Sequence, residues 1–259
     1  MRVHVFRSLL SFLLIPVGSL FLSAAGQAPK SDAQAIALAT KAIAVMTNSV
    51  AINDVTLTAT ISVADGPDTV TGTATLTASG KGESRIDLML PAGTRSEIRD
   101  ASTGILLGKW IASDGTFGKI ALHNCLTDAV WFFPALSSLS PSQNTVLAYV
   151  GMESRNGAKI QHLQSYVYSL SQPSQLSVMD FYLDAATLLP VAVTFNAHPD
   201  DNAGTDLLVE VVFANYQSIS GVMVPTRVQR YQEGNLMLDL TVSTASFNTG
   251  VSLSNFAIN

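Results

Sequence analysis

Between Ser177 and Asn248 the chain reads as four or five strand-like runs, and every break between them is a turn signal. The breaks are Asp184 to Pro190 (Asp-Ala-Ala-Thr-Leu-Leu-Pro), Asp200 to Gly204, Ser220-Gly221 and Glu233 to Asn235. Gly and Asn reach positive φ, Pro fixes φ, and Asp or Asn side chains bond their own backbone, so each break has a mechanism. Loops this short cannot carry the crossover that parallel neighbours require. Consecutive runs must therefore pair antiparallel, as a meander.

The same period of two appears near the start of the chain. Val55, Leu57, Ala59, Ile61 and Val63 alternate with Thr and Ser, then Val70 to Ala78 alternate with Thr after the turn Asp65-Gly66-Pro67-Asp68. β-Branched Thr suits the solvated face of such a hairpin. Arg85 to Leu90, Thr94 to Arg99 and Ile105 to Ala112 continue as strands, and Asp114-Gly115 signals a tight hairpin. Asn156-Gly157 predicts a type I′ turn between strands at 147–153 and 158–169. The bulky stretch His123 to Ser142 predicts a short helix or ordered loop covering one end of the sheet. One helix is expected, from Ser31 as N-cap to Thr47, with Ile36, Ala39, Ile43 and Met46 along one apolar stripe. The fold class is thus mainly β: one antiparallel sheet with a single N-terminal helix. No linker or fixed-period repeat divides it.

Residues 1–25 have the layout of a secretory signal peptide, leaving 26–259 as one β domain. Arg2 and Arg7 precede an apolar run from Leu9 to Leu22, and the small residues Ser23 to Gly26 offer a cleavage site. No Cys follows the apolar run, so soluble export into the periplasm or medium is expected rather than lipid anchoring. Without Arg2 and Arg7 the fourteen basic residues fall to twelve against nineteen acidic ones, a net charge of −7. That balance excludes a basic stripe for nucleic acid. Charged residues make up 13% of the chain, about half the usual share. The single Cys, Cys125, excludes an intramolecular disulfide.

The residues that carry chemistry are dispersed. His123, His162 and His198 lack the spacing of a metal helix. Asp200, Asp201, Asn202 and Asp206 fall in the wrong order for a calcium loop and read as a solvated hairpin loop. Cys125 follows His123 by two residues, which on a strand would share a face, but its neighbours are apolar and a buried structural thiol is expected. There is no Gly-X-Ser-X-Gly elbow, and Asp87, Asp180, Asp184 and Glu210 cannot be paired from sequence. Neither a metal nor a cofactor is expected, and the reading is non-enzymatic.

Two local phrases point further. Tyr182-Leu-Asp-Ala-Ala-Thr-Leu-Leu-Pro190 leads into a Val-rich strand, and Tyr216-Gln-Ser-Ile-Ser-Gly-Val-Met-Val-Pro225 forms the next hairpin. With a signal peptide, one helix and a long meander, they resemble the LolA-like superfamily, the periplasmic lipoprotein-localisation factors and their relatives. The resemblance implies a strongly curved, incomplete β-barrel wrapped around the helix, an apolar cavity, and a carrier of lipid or lipoprotein acyl chains. Such a monomer would make transient membrane contact and bind a hydrophobic ligand or lipoprotein, not nucleic acid. Aromatic residues are the candidates to line a cavity: Trp110, Trp131, Phe133, Phe181, Phe195 and Phe213. Ala39, on an Ala-rich stripe with Ala35 and Ala42, would leave space beside the sheet. Filling it with Ala39→Trp is expected to abolish ligand binding in a folded protein. The alternative is a structural or regulatory interaction module with a dry core.

Overall fold

In the computed structural model, residues 29–80, 82–101, 106–127, 129–142, 144–168 and 174–258 are described. The expected signal peptide and its cleavage site lie outside them. Helix α1 (Ala33–Thr47) is followed by strands β1 (Asp54–Asp65), β2 (Asp68–Ser79), β3 (Ser84–Leu90), β4 (Gly93–Asp100), β5 (Leu107–Ile111) and β6 (Phe117–Ile120). After a crossing segment come β7 (Thr145–Arg155), β8 (Ala158–Val167), β9 (Met179–Asp184), β10 (Pro190–Ala197), β11 (Leu207–Ile219), β12 (Val222–Gln232) and β13 (Asn235–Phe247).

All thirteen strands belong to one antiparallel sheet in the order β6-β5-β4-β3-β2-β1-β13-β12-β11-β10-β9-β8-β7. It consists of two meanders whose inner strands, β1 and β13, pair with each other from Val55↔Phe247 to Val63↔Leu238. The ends β6 and β7 do not pair, so the sheet curves without closing into a barrel. The chain between those two edges, 121–144, has to cross the concave side, and it brings Trp131, Phe132, Phe133 and Leu139 into the core. Two 3₁₀ turns, Leu122–Cys125 and Pro134–Leu136, shape this ordered loop.

The hairpins follow the turn chemistry. Asn156-Gly157, Ser220-Gly221 and Glu233-Gly234 all have positive φ at both central positions, the type I′ pattern that matches strand twist. Asp184 organises the β9–β10 connection through Oδ1, which accepts from Ala186 N (3.1 Å), Thr187 N (2.8 Å) and the Thr187 hydroxyl (2.9 Å). The Tyr216 hydroxyl then donates to the Pro190 carbonyl at 2.7 Å. The two phrases that carried the family resemblance are thus bonded to one another, and burial pushes the Tyr216 hydroxyl pKa upward.

The helix start differs from expectation. Asp32 is the N-cap and accepts from Gln34 N at 2.7 Å. Ser31 is taken by a tertiary contact: its hydroxyl accepts from Leu147 N (3.0 Å) and donates to Thr145 O (3.4 Å) on the edge strand β7. The buried stripe is Ala35, Ala39, Ala42 and Met46, while Ile36 is exposed. Alanine on that stripe lets the helix lie directly on the sheet, where it packs against β7 and β12.

Candidate functional site

Strands paired residue by residue share a face, and this fixes what points into the concavity. Ile86 on β3 is core; opposite it is Glu97 on β4, and opposite Glu97 is Trp110 on β5. Leu88 stands opposite Arg95 and Ser84 opposite Arg99. Across the β1–β13 seam, core residues Val63 and Leu238 pair with each other, and Leu238 also pairs with Arg230 on β12. The inner face therefore carries charge at the β3–β5 end of the sheet, and Arg230 of β12 also faces inward. β4 presents Arg95, Glu97 and Arg99 inward, and Ile98 is buried on the outer face.

A cleft of about 330 Å³ opens here. Trp110 and Trp131, the only tryptophans of the chain, stand in its wall with Ile86, Leu88, Arg95 and Arg230. Trp110 is half-exposed and lies against Gly118 on β6, where a Cβ would come within 2.6 Å of the indole. A side chain at position 118 would therefore have to displace this tryptophan. Trp131 is buried and edge-on to Phe132, with ring centroids 5.7 Å apart. The Arg230 guanidinium carbon lies 5.7 Å from the centroid of the Trp131 ring, within cation–π range. Arg95 reaches Asp65 at 3.4 Å in an exposed pair, and Arg99 approaches Glu97 at 3.8 Å.

The other sequence candidates are placed differently. Ala39, Phe133, Phe181, Phe195 and Phe213 belong with Trp131 to one continuous core, each at most 4% exposed. The structure thus brings six of the seven candidates together, while Trp110 meets only Trp131, at the cleft. A second opening of about 440 Å³ lies beyond the C-terminal end of α1, between Ile43, Thr47 and the hydroxyl-rich stretch Ser137 to Ser142. Sequence reasoning missed Arg95 and Arg230, because neither alternation nor spacing marks an inward-facing arginine. Only the strand register reveals them.

The polar residues weighed for chemistry are engaged elsewhere. Cys125 is buried in a 3₁₀ turn rather than on a strand, with Sγ toward the Ile120 carbonyl. His123 faces the Pro199 carbonyl instead (3.1 Å), so the two do not form a pair. Asn124 holds the backbone of His198 with both amide atoms, at 2.6 and 2.9 Å, and Asp200 accepts from Ala121 N. His162 bonds Asp180 at 2.9 Å, Asp87 pairs with Arg85, and Glu210 pairs with Arg155. Among the described residues no cluster of His, Cys, Asp and Glu has the arrangement of a metal site.

No protein-family model matches the chain, and no curated protein matches it in sequence. Solved structures do match it. A domain of an outer membrane lipoprotein-sorting protein from Vibrio parahaemolyticus superposes with a TM-score of 0.57 at 14% identity, over 85% of this chain and 95% of that one. A DUF1329 family protein from Desulfovibrio piger gives 0.57 at 15% identity, over 88% and 98%. A LolA superfamily protein from Nitrosomonas europaea gives 0.57 at 14%, over 86% and 97%. At such identities the likeness is one of fold. The unclosed antiparallel sheet around an N-terminal helix is the LolA-like fold, and this chain has it.

Proposed function

We propose that the protein is an exported, non-enzymatic carrier or binding protein for a hydrophobic ligand, a lipid or a lipoprotein acyl chain. The observation that carries this reading is the cleft between β3–β5 and the crossing segment. It is concave, walled by both tryptophans and by aliphatic side chains, and set with a few polar groups, the usual make-up of a small-ligand site. The LolA-like fold supports it, as does the lipoprotein-sorting domain among the similar structures. The ligand-contact residues in this reading are Trp110 and Trp131. Phe133, Phe181, Phe195, Phe213 and Ala39 belong to the apolar core that continues from Trp131. Export rests on the layout of residues 1–25. The protein works as a monomer with transient membrane contact and needs no cofactor.

A second reading, a dry interaction module, draws support from the close packing of those four phenylalanines. One experiment separates the two. Protein purified natively from a periplasmic extract is denatured, extracted with organic solvent and analysed for lipids by mass spectrometry. A carrier yields a stoichiometric amphiphile, and the Trp110→Ala variant yields markedly less. A lipid-free extract from protein that also takes up no added acyl probe sinks the carrier reading.

A further inference from the structure

The side chains that line the cleft carry a net charge opposite in sign to that of the protein as a whole. Outside the leader the chain carries twelve basic and nineteen acidic residues. Yet the cleft is walled by two arginines, Arg95 and Arg230, and a single acid, Glu97. Both arginines come from positions paired with apolar residues, Leu88 packed against the core and Leu238 within it. Inward-facing arginines weaken a purely apolar wall, because a charge taken from water costs free energy unless it is paired. Their guanidinium forks match the oxygens of a carboxylate or phosphate, and this geometry distinguishes Arg from Lys in anion recognition.

The size of the cleft adds a second constraint. At about 330 Å³ it sits at the lower end of the range for small-molecule sites, roughly 300–1,000 Å³. That accommodates one chain segment against the tryptophans, not several side by side.

Resting on the carrier reading above, we infer that the cleft selects a single-chain anionic amphiphile, with its carboxylate or phosphate head between Arg95 and Arg230 and its tail along Trp110 and Trp131. Arg95 stands at the outer rim, with 38% of its side chain exposed. Arg230 sits deeper, over Trp131. A head group entering from solvent meets Arg95 first and displaces its 3.4 Å contact with Asp65.

The two tryptophans supply the assay, since bromine on a bound chain quenches an indole it touches. Full-length mature protein is titrated with dibrominated stearic acid and, separately, with the corresponding neutral alcohol. The acid is expected to quench and to bind about tenfold more tightly than the alcohol, as a charge-assisted contact implies. Arg95→Gln should weaken the acid about threefold to tenfold and leave the alcohol unchanged, and Arg230→Gln should weaken it more. The alcohol also serves as the folding control for both variants. Competition with oleate and with oleoyl lysophosphatidate tells a carboxylate head from a phosphate head. Dioleoyl phosphatidate should compete poorly.

Quenching by acid and alcohol alike, unaltered by either arginine variant, overturns the head-group inference and leaves an apolar site standing. Equal competition by the two-chain lipid overturns the single-chain part. Absence of quenching by either probe removes the ligand site itself.

Discussion

The seam between β1 and β13 joins the two halves of the sheet, and one carboxylate holds its open end. Asp54, 6% exposed at the start of β1, accepts backbone N–H bonds from Thr249 (2.8 Å), Gly250 (3.0 Å) and Val251 (3.4 Å), and a fourth from the Thr249 hydroxyl (3.1 Å). Its carbonyl also accepts from Asn248 N at 3.1 Å. Asn248 returns the contact from the C-terminal side, accepting from Asn53 N (2.7 Å) and donating to Ala51 O (2.9 Å). Replacing Asp54 with Ala removes four bonds to one charged acceptor. A hydrogen bond to a charged group contributes about 1.5–3 kcal/mol. Counting only the two shortest backbone bonds, and allowing the freed N–H groups to rehydrate, the loss is about 2–3 kcal/mol. With a urea m-value of about 3 kcal/mol/M, the midpoint falls by roughly 0.7–1 M.

The pH dependence isolates the charge. Burial pushes the Asp54 carboxyl pKa upward, but the bonds from Thr249, Gly250 and Val251 outweigh it and hold the value below the usual 3.8. A depressed folded pKa means that the stabilisation is complete above the unfolded value and disappears as pH falls through the folded one. The gap in unfolding free energy between wild type and Asp54→Asn should therefore be constant from about pH 8 to pH 5 and narrow below about pH 4. Urea denaturation followed by far-ultraviolet circular dichroism at a series of pH values measures both effects. A loss under 0.5 kcal/mol for Asp54→Ala, or a gap that widens on acidification, would refute the clamp.

Ala39→Trp should now cost stability, because Ala39 is fully buried against the sheet and overpacking typically costs about 1–3 kcal/mol or more. A variant as stable as wild type in urea would mean that space does exist beside the helix. Cys125, 1% exposed, should react with a thiol reagent only on unfolding, and Cys125→Ala should lower stability modestly without changing probe binding. Rapid labelling of native protein would contradict this.

The parts of the fold legible in the sequence are those with a local cause. Gly and Asn at positive φ announced the hairpins at Asn156-Gly157 and Ser220-Gly221, and alternation announced β1 and β2. Glu233 adopts φ 49° without being one of the residues that favour it, yet the Gly234 beside it was signal enough. What stayed illegible depends on distant partners. Nothing local tells β1 that it will pair with β13, or tells Ser31 that its hydroxyl will serve β7 instead of the helix. The aromatic candidates show the same limit. A phenylalanine that packs in a core and one that lines a cleft have identical neighbours in sequence, so Phe181 and Trp110 could not be separated.

The inversion of β4 explains why the cleft is where it is. Ile98 is the apolar residue of β4 best suited to the core, which would leave Arg95, Glu97 and Arg99 in solvent. Instead the C-terminal chain passes the Asp54 clamp and ends in a 3₁₀ turn, Leu253–Phe256, that packs on β3 and β4. Ile98 and Phe256 are both buried, yet neither belongs to the main core. The turn therefore provides the outer face of β4 with an apolar cover, and the hydrophobic side of the strand goes to it. The charged side is left for the concavity, where the crossing segment places Trp131 opposite. On the other half of the sheet, α1 and the phenylalanines of β9, β10 and β11 fill the same concavity with mostly apolar groups. A clamp at one end of the seam, a buried C-terminal phenylalanine and an arginine-walled cleft are consecutive links in one arrangement.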